Sequence, residues 1–329
     1  MTAPLPHVPS GATAAYLPAL RADVVRGLTA VPKSLPPKWL YDGRGSDLFE
    51  QITRLPEYYA TRTEQALLTQ ISADIAAHTG ARSLIEMGSG SSHKTRSLLD
   101  GLARTVTTYV PVDVSGDALG PAAAAIATAY PKVEVRPREA DFTDPLHLDG
   151  LDGPRLVMLL GGTIGNLLPD DRDRFLRSLA SQLTPYDRLL VGVHLVTDPQ
   201  VITAAYNDAA GVTAAFNAGI LHRINRELDA DFDPEAFAHV ACWDADNEWI
   251  EMRLRARRAQ TVYLGDPGVV VRFAAGEDLL TEVSAKFRPE RLAAEADAAG
   301  LELQMFWTDP DNLVALALIA PALRTAPAS

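Results

Sequence analysis

An acidic residue and two glycines stand together in the run Glu86-Met87-Gly88-Ser89-Gly90. The apolar residues 84–87 predict a strand before the turn, and the helical period of residues 94–102 predicts a helix after it. Glycines at such a turn let a ligand approach the backbone, and a helix N-terminus attracts an anionic group. The third glycine of the dinucleotide pattern would fall at His93. The turn therefore favours a cofactor without a pyrophosphate, such as S-adenosylmethionine, with Lys94 near its carboxylate; a purely structural turn is the alternative.

Further acidic residues follow the next two predicted strands. Asp113 stands 25 positions after Gly88, close to the spacing of about 20 residues at which an acid binds a ribose diol. Asp141 and Phe142 follow the third predicted strand, where a carboxylate and a ring could hold an adenine. Each acid taken alone is better interpreted as a solvated strand end or a helix cap than as a ligand contact. Acids at successive strand ends of one sheet edge, however, indicate a ligand crevice.

A glycine-rich segment, Gly161-Gly162-Thr163-Ile164-Gly165-Asn166, follows the fourth predicted strand at residues 156–160. We expect it to enter the same crevice and to bring its backbone, from Gly161 onward, close to the reacting centre. The Asn166 side chain offers both a donor and an acceptor. A loop whose glycines serve only positive φ angles is the alternative.

Metal and nucleophile chemistry is not supported by the sequence. The seven histidines and the single cysteine, Cys242, show no His-x-x-x-His or Cys-x-x-Cys spacing. There is no Gly-x-Ser-x-Gly elbow and no phosphate-binding P-loop. Cys242 lies beside Trp243 and is interpreted as a structural residue in a packed region.

Alternating strands and helices between residues 61 and 196 predict an α/β fold with a Rossmann-like, doubly wound sheet. The strand at 156–160 is apolar throughout, as expected when both faces of a parallel sheet are covered. The first helix of this unit is predicted over residues 61–78, with Thr61 or Thr63 as its N-cap.

The alternation stops after residue 196, which indicates an inserted α+β domain. Residues 198–240 are predicted as helices with loops. Strict alternation of apolar and polar residues over 250–256 predicts a half-exposed antiparallel strand. Residues 262–264 and 269–273 are predicted as its partner strands. A late helix is predicted at 290–299.

The predicted organisation has four parts. An N-terminal arm with a short helix near residues 19–28 associates with the inserted domain, and C-terminal strands return to the first sheet. The parts are the arm (1–60), the methyl-donor-binding domain (61–196), the inserted substrate-binding domain (197–286) and the C-terminal helix and strands (287–329).

Composition limits the possible partners. The 329 residues are 47% hydrophobic and carry 30 basic against 42 acidic residues, a formal charge of −12. That field repels nucleic acid and anionic membranes unless a basic patch is segregated, and no such patch is visible. The N-terminus lacks a signal-peptide pattern, and no run of about 18 apolar residues occurs. With one cysteine, we expect a protein of the reducing cytoplasm. We also expect it to be a monomer that binds neither nucleic acid nor membrane.

Four motifs in this order and spacing resemble the histidine Nα-methyltransferases of ergothioneine biosynthesis. The resemblance extends from residues 33–38 to residues 307–309. The chain departs from the family pattern at His93, where an acid is common, and at Gly162, where serine is expected. The motifs are Leu55-Pro56-Glu57-Tyr58-Tyr59 with Thr61-Arg62-Thr63-Glu64, Glu86-Met87-Gly88-Ser89-Gly90-Ser91-Ser92-His93-Lys94-Thr95, Gly162-Thr163-Ile164-Gly165-Asn166 and Leu280-Thr281-Glu282-Val283-Ser284-Ala285-Lys286-Phe287.

The resemblance implies a Rossmann-like domain that binds S-adenosylmethionine and an inserted domain that closes over L-histidine, without a metal. The donor contacts that it implies are Gly88, Lys94, Asp113, Asp141 and Phe142. For the substrate it implies Asn166 and Tyr206 at the carboxylate, Tyr58 near the imidazole, Glu282 and Ser284 at its far nitrogen, and Phe216 and Met252 around the ring. Tyr41 would lie near the amine as the catalytic residue.

The implied reaction is stepwise trimethylation of the α-amino group to the betaine hercynine. Methyl displacement at a sulfonium needs positioning and an unprotonated amine rather than an enzyme nucleophile. The Tyr41 hydroxyl or a water would relay the amine proton outward. Two alternatives remain, namely the same fold acting on another aromatic amino acid or amine, and a non-catalytic module that binds S-adenosylmethionine.

Overall fold

The computed structural model describes residues 11–90, 92–114, 116–143 and 148–322. The described α-helices are α1 (Gly11–Thr29), α2 (Gly43–Ile52), α3 (Ala60–Thr79), α4 (His93–Leu102), α5 (Gly116–Ala129), α6 (Pro169–Ala180), α7 (Pro199–Ala205), α8 (Val212–Leu228) and α9 (Pro289–Ala298). The described strands are β1 (Lys33–Ser34), β2 (Ser83–Met87), β3 (Thr108–Asp113), β4 (Glu134–Val135), β5 (Arg138–Glu139), β6 (Arg155–Leu159), β7 (Arg188–His194), β8 (Phe237–Asp244), β9 (Trp249–Ala256), β10 (Gln260–Leu264), β11 (Val269–Phe273), β12 (Asp278–Ala285), β13 (Leu301–Thr308) and β14 (Val314–Pro321).

Part of the predicted organisation lies outside the residues that the structure describes. Residues 1–10 and 323–329 of the predicted first and last parts, and Ser91 of the glycine motif, lie outside the described residues. No helix in the described part of the chain is long and apolar enough to cross a membrane.

The central sheet has the strand order β13-β14-β7-β6-β2-β3-β4, with β5 also paired to β3. Strand β2 pairs in parallel with β3 on one side and with β6 on the other. The chain therefore reverses its direction of travel across the sheet at β2, the switch point at which such sheets bind ligands. This arrangement confirms the predicted doubly wound α/β fold.

Apolar side chains cover both faces of the central sheet. Leu84 and Ile85, adjacent in β2, belong to different buried clusters, one on each face, because neighbouring strand residues point to opposite sides. The apolar run of β6 is buried from Leu156 to Leu159. The prediction of a strand covered on both faces is thereby confirmed.

A second sheet has the order β1-β12-β9-β8. Strand β1 comes from the N-terminal segment and pairs in parallel with β12, aligning Lys33 with Leu279 and Ser34 with Leu280. The closing strand β14 pairs antiparallel with β7 and so extends the central sheet. The division of the chain at residues 60, 196 and 286 remains a prediction.

Several predictions for local structure were wrong. Strands β10 and β11 pair with each other rather than with β9, whose partners are β8 and β12. Alternation of apolar and polar residues predicts that a segment forms a strand, but it does not show which strand pairs with it. Strand β8 begins at Phe237, inside the segment predicted as helices with loops, and Cys242 on this edge strand is exposed rather than packed. Helix α3 begins after Tyr59, so Thr61 and Thr63 lie inside it instead of capping it.

Helix α3 and strand β7 approach each other closely at Gly192. The carboxylate of Glu64, fully buried on α3, accepts the backbone N–H of Gly161 at 2.8 Å and pairs with Lys94. A Cβ atom at Gly192 would lie 1.9 Å from Glu64 Oε1. Glycine is therefore required in β7 for this carboxylate to reach the loop after β6.

We expect Gly192→Ala to destabilise the protein by about 3 kcal/mol, because the new methyl group displaces the Glu64 carboxylate. Denaturant unfolding measures the change. The control is Gly219→Ala in α8, where an added Cβ meets nothing within 4 Å. That variant should be about 0.5 to 1 kcal/mol more stable than the parent. Equal stability of the two variants would contradict the close approach.

Candidate active site

A cavity of 1640 Å³ runs from the carboxyl ends of β2, β3 and β6 to strand β12 of the second sheet. It is larger than the range of about 300 to 1,000 Å³ that holds one drug-sized ligand. The structure brings all of the predicted site residues to its lining, and their individual roles remain predictions. They are Tyr41, Tyr58, Gly88, Lys94, Asp113, Asp141, Phe142, Gly161, Asn166, Tyr206, Phe216, Met252, Glu282 and Ser284.

The turn after β2 forms one end of the cavity, which we call the donor end. Gly88 has a φ of 68°, a conformation that favours glycine. The Asp113 carboxylate at the end of β3 accepts the backbone N–H of Gly90 at 2.9 Å. Beside them, the hydroxyl oxygen of Ser89 is buried and has no hydrogen-bond partner among the described residues. Buried polar atoms normally have a hydrogen-bond partner, so the unpartnered Ser89 hydroxyl indicates that a ligand binds here.

Glu86 lies beneath this turn. Its buried carboxylate accepts hydrogen bonds from the hydroxyl groups of Thr95 and Tyr109. Burial raises the pKa of Glu86 to about 7, although the two hydroxyl groups and the Lys94 ammonium act against the shift. The carboxyl group therefore changes charge near neutral pH at the floor of the cavity.

Asp141 and Phe142 line the side of the donor end. The Asp141 carboxylate accepts from the Thr143 hydroxyl at 2.6 Å and pairs with Lys38 at 3.0 Å. Burial opposes ionisation, yet Thr143 and Lys38 together lower the pKa of Asp141. The Phe142 ring packs edge-on against Phe175 at 6.0 Å. Sequence reasoning missed Lys38, since nothing local shows that an N-terminal lysine reaches a residue 103 positions away.

Lys94, which is partly buried, forms an ion pair with the fully buried Glu64. The sequence assigned Lys94 to the donor carboxylate and gave Glu64 no role. In the structure the lysine is shared with Glu64, which also accepts the Gly161 N–H through both carboxylate oxygens, at 2.8 and 3.0 Å. Any contact between Lys94 and a ligand carboxylate is thus made beside an existing acidic partner. Glu64 belongs to the Thr61-Arg62-Thr63-Glu64 motif. That motif was the only sequence signal that could have indicated a role for Glu64 in the site.

The glycine-rich loop after β6 joins the two sheets. Its 3₁₀ turn, Thr163–Asn166, packs on the end of β12 so closely that a Cβ at Gly165 would lie 2.7 Å from the Ala285 carbonyl oxygen. This approach places Asn166 on the cavity beside β12. Gly162 has a φ of 71°, and a Cβ there would lie 2.6 Å from the His194 ring. The space beside His194 therefore excludes the serine expected at position 162.

Aromatic rings enclose the other end of the cavity, which we call the acceptor end. Tyr41 stacks edge-on against Phe216 at 5.3 Å and against Phe49 at 5.5 Å. Tyr58 contacts Phe49 and Tyr206, both at 6.2 Å between ring centroids. Phe49 was missed by the sequence analysis, because it lies on α2, a helix that was not predicted within the N-terminal arm.

Glu282 is buried on β12 and faces the acceptor end, next to Met252 of β9 in the sheet register. Its Oε2 atom has no hydrogen-bond partner in the described part of the chain. Burial raises the pKa of Glu282 to about 7, and the Lys286 ammonium opposes the shift. Alternation alone would have placed this residue in solvent, but the N-terminal segment and α8 cover the sheet.

Ser284, Tyr206 and Lys286 form a buried hydrogen-bonded group behind Glu282. The Tyr206 hydroxyl donates to Ser284 Oγ at 2.9 Å, and Lys286 Nζ donates to Ser284 Oγ at 2.8 Å and to the Tyr206 hydroxyl at 3.1 Å. Lys286 was quoted in the sequence motif but given no role.

The tyrosine hydroxyl groups at the acceptor end stay protonated. Burial raises the pKa of Tyr41, Tyr58 and Tyr206, and the Glu282 carboxylate acts in the same direction. These groups therefore orient ligands by hydrogen bonding and do not act as anionic bases at neutral pH.

The residues present fit a sulfonium donor and an amino acid. Three buried polar atoms without partners among the described residues, Ser89 Oγ, Thr213 Oγ1 and Glu282 Oε2, belong to residues that line one cavity, with Ser89 and Glu282 at its two ends. Unpaired buried polar atoms are costly unless a ligand satisfies them. Within the described ranges, no group of three or more His, Cys, Asp or Glu residues is arranged to hold a metal ion.

Comparison with known proteins identifies the class of enzyme that this fold and site define. A family profile described as "Histidine-specific methyltransferase, SAM-dependent" matches residues 20–321. The chain belongs to this family of S-adenosylmethionine-dependent methyltransferases.

Individual relatives cover most of the chain. "Histidine N-alpha-methyltransferase" of Mycolicibacterium smegmatis is 54% identical over 91% of this chain and 94% of its own length. The protein of the same name from Mycobacterium tuberculosis is 49% identical over 92% and 95%. "Ergothioneine biosynthesis protein 1" of Neurospora crassa is 33% identical over 84% of this chain and 32% of its own length.

We expect Glu86→Gln to stabilise the ligand-free protein at pH 8 by up to about 3 kcal/mol, because a buried carboxylate is removed. The pKa of Glu86 rises from 4.5 to about 7 on folding. The parent therefore loses stability as pH rises through this interval, and the advantage of the variant should vanish below about pH 4.5. Denaturant unfolding at several pH values measures it. Exposed Glu302→Gln should change stability by less than about 0.5 kcal/mol; a variant less stable than the parent at pH 8 contradicts the expectation.

Proposed function

We propose that this protein transfers methyl groups from S-adenosylmethionine to the α-amino nitrogen of L-histidine, in three steps that give the trimethyl betaine hercynine. The observation that carries the proposal is the buried Glu282 carboxylate, whose unpartnered oxygen faces the cavity at the acceptor end. Such an acceptor suits a ring N–H. The relatives named for histidine Nα-methylation and for ergothioneine biosynthesis support the substrate and the pathway step.

At the donor end, the chain supplies groups suited to each part of the methyl donor. When bound, S-adenosylmethionine supplies an electrophilic methyl group on a sulfonium. Backbone amides at Gly88 and the shared Lys94 suit its carboxylate, and Asp113 suits its ribose hydroxyls. Asp141 and Phe142 suit the adenine by hydrogen bonding and stacking.

At the acceptor end, hydrogen bonds orient the amino acid while apolar side chains exclude water. We assign Asn166, Tyr206 and the loop at Gly161 to the histidine carboxylate. Glu282 and Ser284 take the far ring nitrogen, and Tyr58 lies near the ring. Phe216 and Met252, both buried, form the apolar walls. The space bounded by Phe216, Met252, Glu282 and Ser284 is the ring pocket.

Tyr41 is assigned to the reacting amine. The amine must be unprotonated to attack, and a nearby sulfonium disfavours its ammonium form. The raised pKa of the Tyr41 hydroxyl, caused by burial and then by Glu282, keeps the phenol neutral. Tyr41 can therefore accept a hydrogen bond from the amine and relay its proton: the phenol oxygen takes the amine proton while the hydroxyl proton of Tyr41 passes to water.

We also propose a cytoplasmic protein that acts as a monomer and binds no nucleic acid or membrane. The single cysteine is a free thiol on the surface, as suits a reducing compartment. The formal charge of −12 argues against polyanionic partners.

Incubation with S-adenosylmethionine and a mixture of the twenty amino acids, followed by mass spectrometry, tests the proposed activity. Histidine should gain one, two and then three methyl groups while the other amino acids remain unmodified. Methylation of a different aromatic amino acid would replace the proposed substrate. Binding of S-adenosylmethionine without any turnover would support the non-catalytic alternative.

We expect Glu282→Ala to weaken histidine binding by roughly tenfold to a few hundredfold, because the ring N–H loses its buried acceptor. Calorimetry with S-adenosylhomocysteine present measures the Kd. Affinity for S-adenosylhomocysteine should stay within about twofold, since the donor end is unchanged. The exposed α9 residue Glu290 provides the control variant Glu290→Ala. Unchanged histidine affinity in Glu282→Ala would refute the assignment.

We expect Tyr41→Phe to lower kcat by about 100-fold while histidine affinity changes by less than about threefold, because proton relay is lost and most binding contacts remain. Steady-state kinetics and calorimetry separate the two effects. Tyr59→Phe is the control, since Tyr59 is a buried tyrosine that does not line the cavity. A kcat for Tyr41→Phe near that of the parent would assign the relay to water.

A further inference from the structure

Lys286 follows directly after β12 and is fully buried. Glu282, Ser284 and Lys286 occupy alternate positions, and alternate residues of an extended strand share a face. Ser284 thus stands between an acid and a cation. No contact within ion-pair distance joins Lys286 to an acidic group among the described residues. Glu282 and Lys286 nevertheless act on each other's pKa, so the two groups are neighbours without direct contact.

The Lys286 ammonium is held by neutral groups. Besides Ser284 and the Tyr206 hydroxyl, it lies 3.5 Å from Nδ1 of His194 and 4.8 Å from the centre of the Tyr206 ring. An ammonium has three N–H donors; two have hydroxyl acceptors here, and the third can reach Nδ1 of His194 when that nitrogen carries no proton. The lysine is therefore fixed in position without a carboxylate partner.

The other titratable groups around this pair carry no charge at neutral pH. Burial raises the pKa of Tyr41, Tyr58 and Tyr206. Burial, followed by the charges of Lys286 and Lys94, lowers the pKa of His194. The charge of Lys94 is already balanced by Glu64. Burial raises the pKa of Glu282 and lowers the pKa of Lys286, each to about 7, and the charge of each group acts against the shift of the other. Glu282 and Lys286 are consequently the two groups of opposite charge that remain to balance each other.

We propose that Lys286 is a positioning residue that acts as the counter-charge of Glu282, which makes the ring pocket electrically neutral and selects the neutral imidazole of histidine over the imidazolium. The proposal rests on the proposed function and adds the charge state of the substrate ring. It also explains why a lysine is buried behind the pocket, where an apolar residue would otherwise fit.

The physical reason is the cost of an unbalanced buried charge. With Lys286 present, a neutral ring donates its N–H to Glu282 and the pocket keeps zero net charge. An imidazolium would add an uncompensated positive charge. Without Lys286, the Glu282 carboxylate would recruit the imidazolium instead, because the ring proton then supplies the missing cation. Free histidine exchanges the two ring forms near pH 6.5.

Nitrogen NMR of ring-¹⁵N-labelled histidine bound with S-adenosylhomocysteine tests the proposal at pH 7. In the parent, one ring nitrogen should show a protonated and the other an unprotonated chemical shift. In Lys286→Met, both should show the protonated shift of an imidazolium. A parent spectrum with two protonated nitrogens overturns the proposal, and so does a neutral ring in Lys286→Met. The parent spectrum alone can overturn the proposal even if the variant fails to fold.

Calorimetric affinities supply a second readout. At pH 8, Lys286→Met should bind histidine at least tenfold more weakly than the parent, because the ring must first be protonated. The deficit should shrink between pH 8 and pH 6, and affinity for S-adenosylhomocysteine should stay unchanged. A deficit independent of pH indicates a merely structural role and overturns the proposal.

Two further variants complete the design. Lys33→Met removes another largely buried lysine, on β1 beside β12, and should leave histidine affinity and ring charge as in the parent. In a Glu282→Gln background, Lys286→Met should cost less affinity than in the parent, since its opposite charge is gone. A parent that neither binds nor methylates histidine refutes the proposed function. A parent that methylates histidine but binds imidazolium refutes only the role of Lys286.

Discussion

The burial of charged groups between the two sheets constrains this whole site. Glu64, Glu282 and Lys286 lie away from solvent, in places where an isolated charge would be strongly unfavourable, and Lys94 beside Glu64 is partly buried. Each acid is balanced by a cation from another part of the sequence or further along its strand. The surrounding backbone is shaped to admit these groups, as Gly192 shows by leaving room for the Glu64 carboxylate. The chemistry of the cavity depends on this balance more than on any single hydrogen bond.

One loop, the segment after β6, contributes to both the donor end and the acceptor end of the cavity. The segment after β6 carries Gly161 at the Glu64 carboxylate and Asn166 at the acceptor end, while Gly165 packs on the end of β12. A methyl transfer between two bound molecules requires their relative position to be fixed. A short, glycine-dependent turn wedged between the sheets provides that rigidity without a long linker.

Much of the central sheet was predictable from the sequence because its signals are local. The apolar runs of β2, β3 and β6 and the turn at Gly88 show directly in residue order. The second sheet was less predictable, since β10 and β11 resemble possible partners of β9 and only tertiary packing decides the pairing. The cavity lining followed from strand ends and from family resemblance. Glu64, Lys38 and Lys286 lacked assigned roles, because burial and partners distant in sequence determine what these charged residues contact.

The pairing of β1 with β12 has a consequence for how the chain is made. Lys33 and Leu279 are neighbours in the sheet although 279 − 33 = 246 positions of the sequence separate them. A polypeptide leaving the ribosome N-terminus first must hold residues 33–34 unpaired until β12 has been synthesised. The central sheet is also incomplete until late in synthesis, since β14, near the C-terminus, pairs with β7. Partly synthesised chains therefore expose open sheet edges, and a premature stop shortly before β12 leaves a product with neither sheet complete.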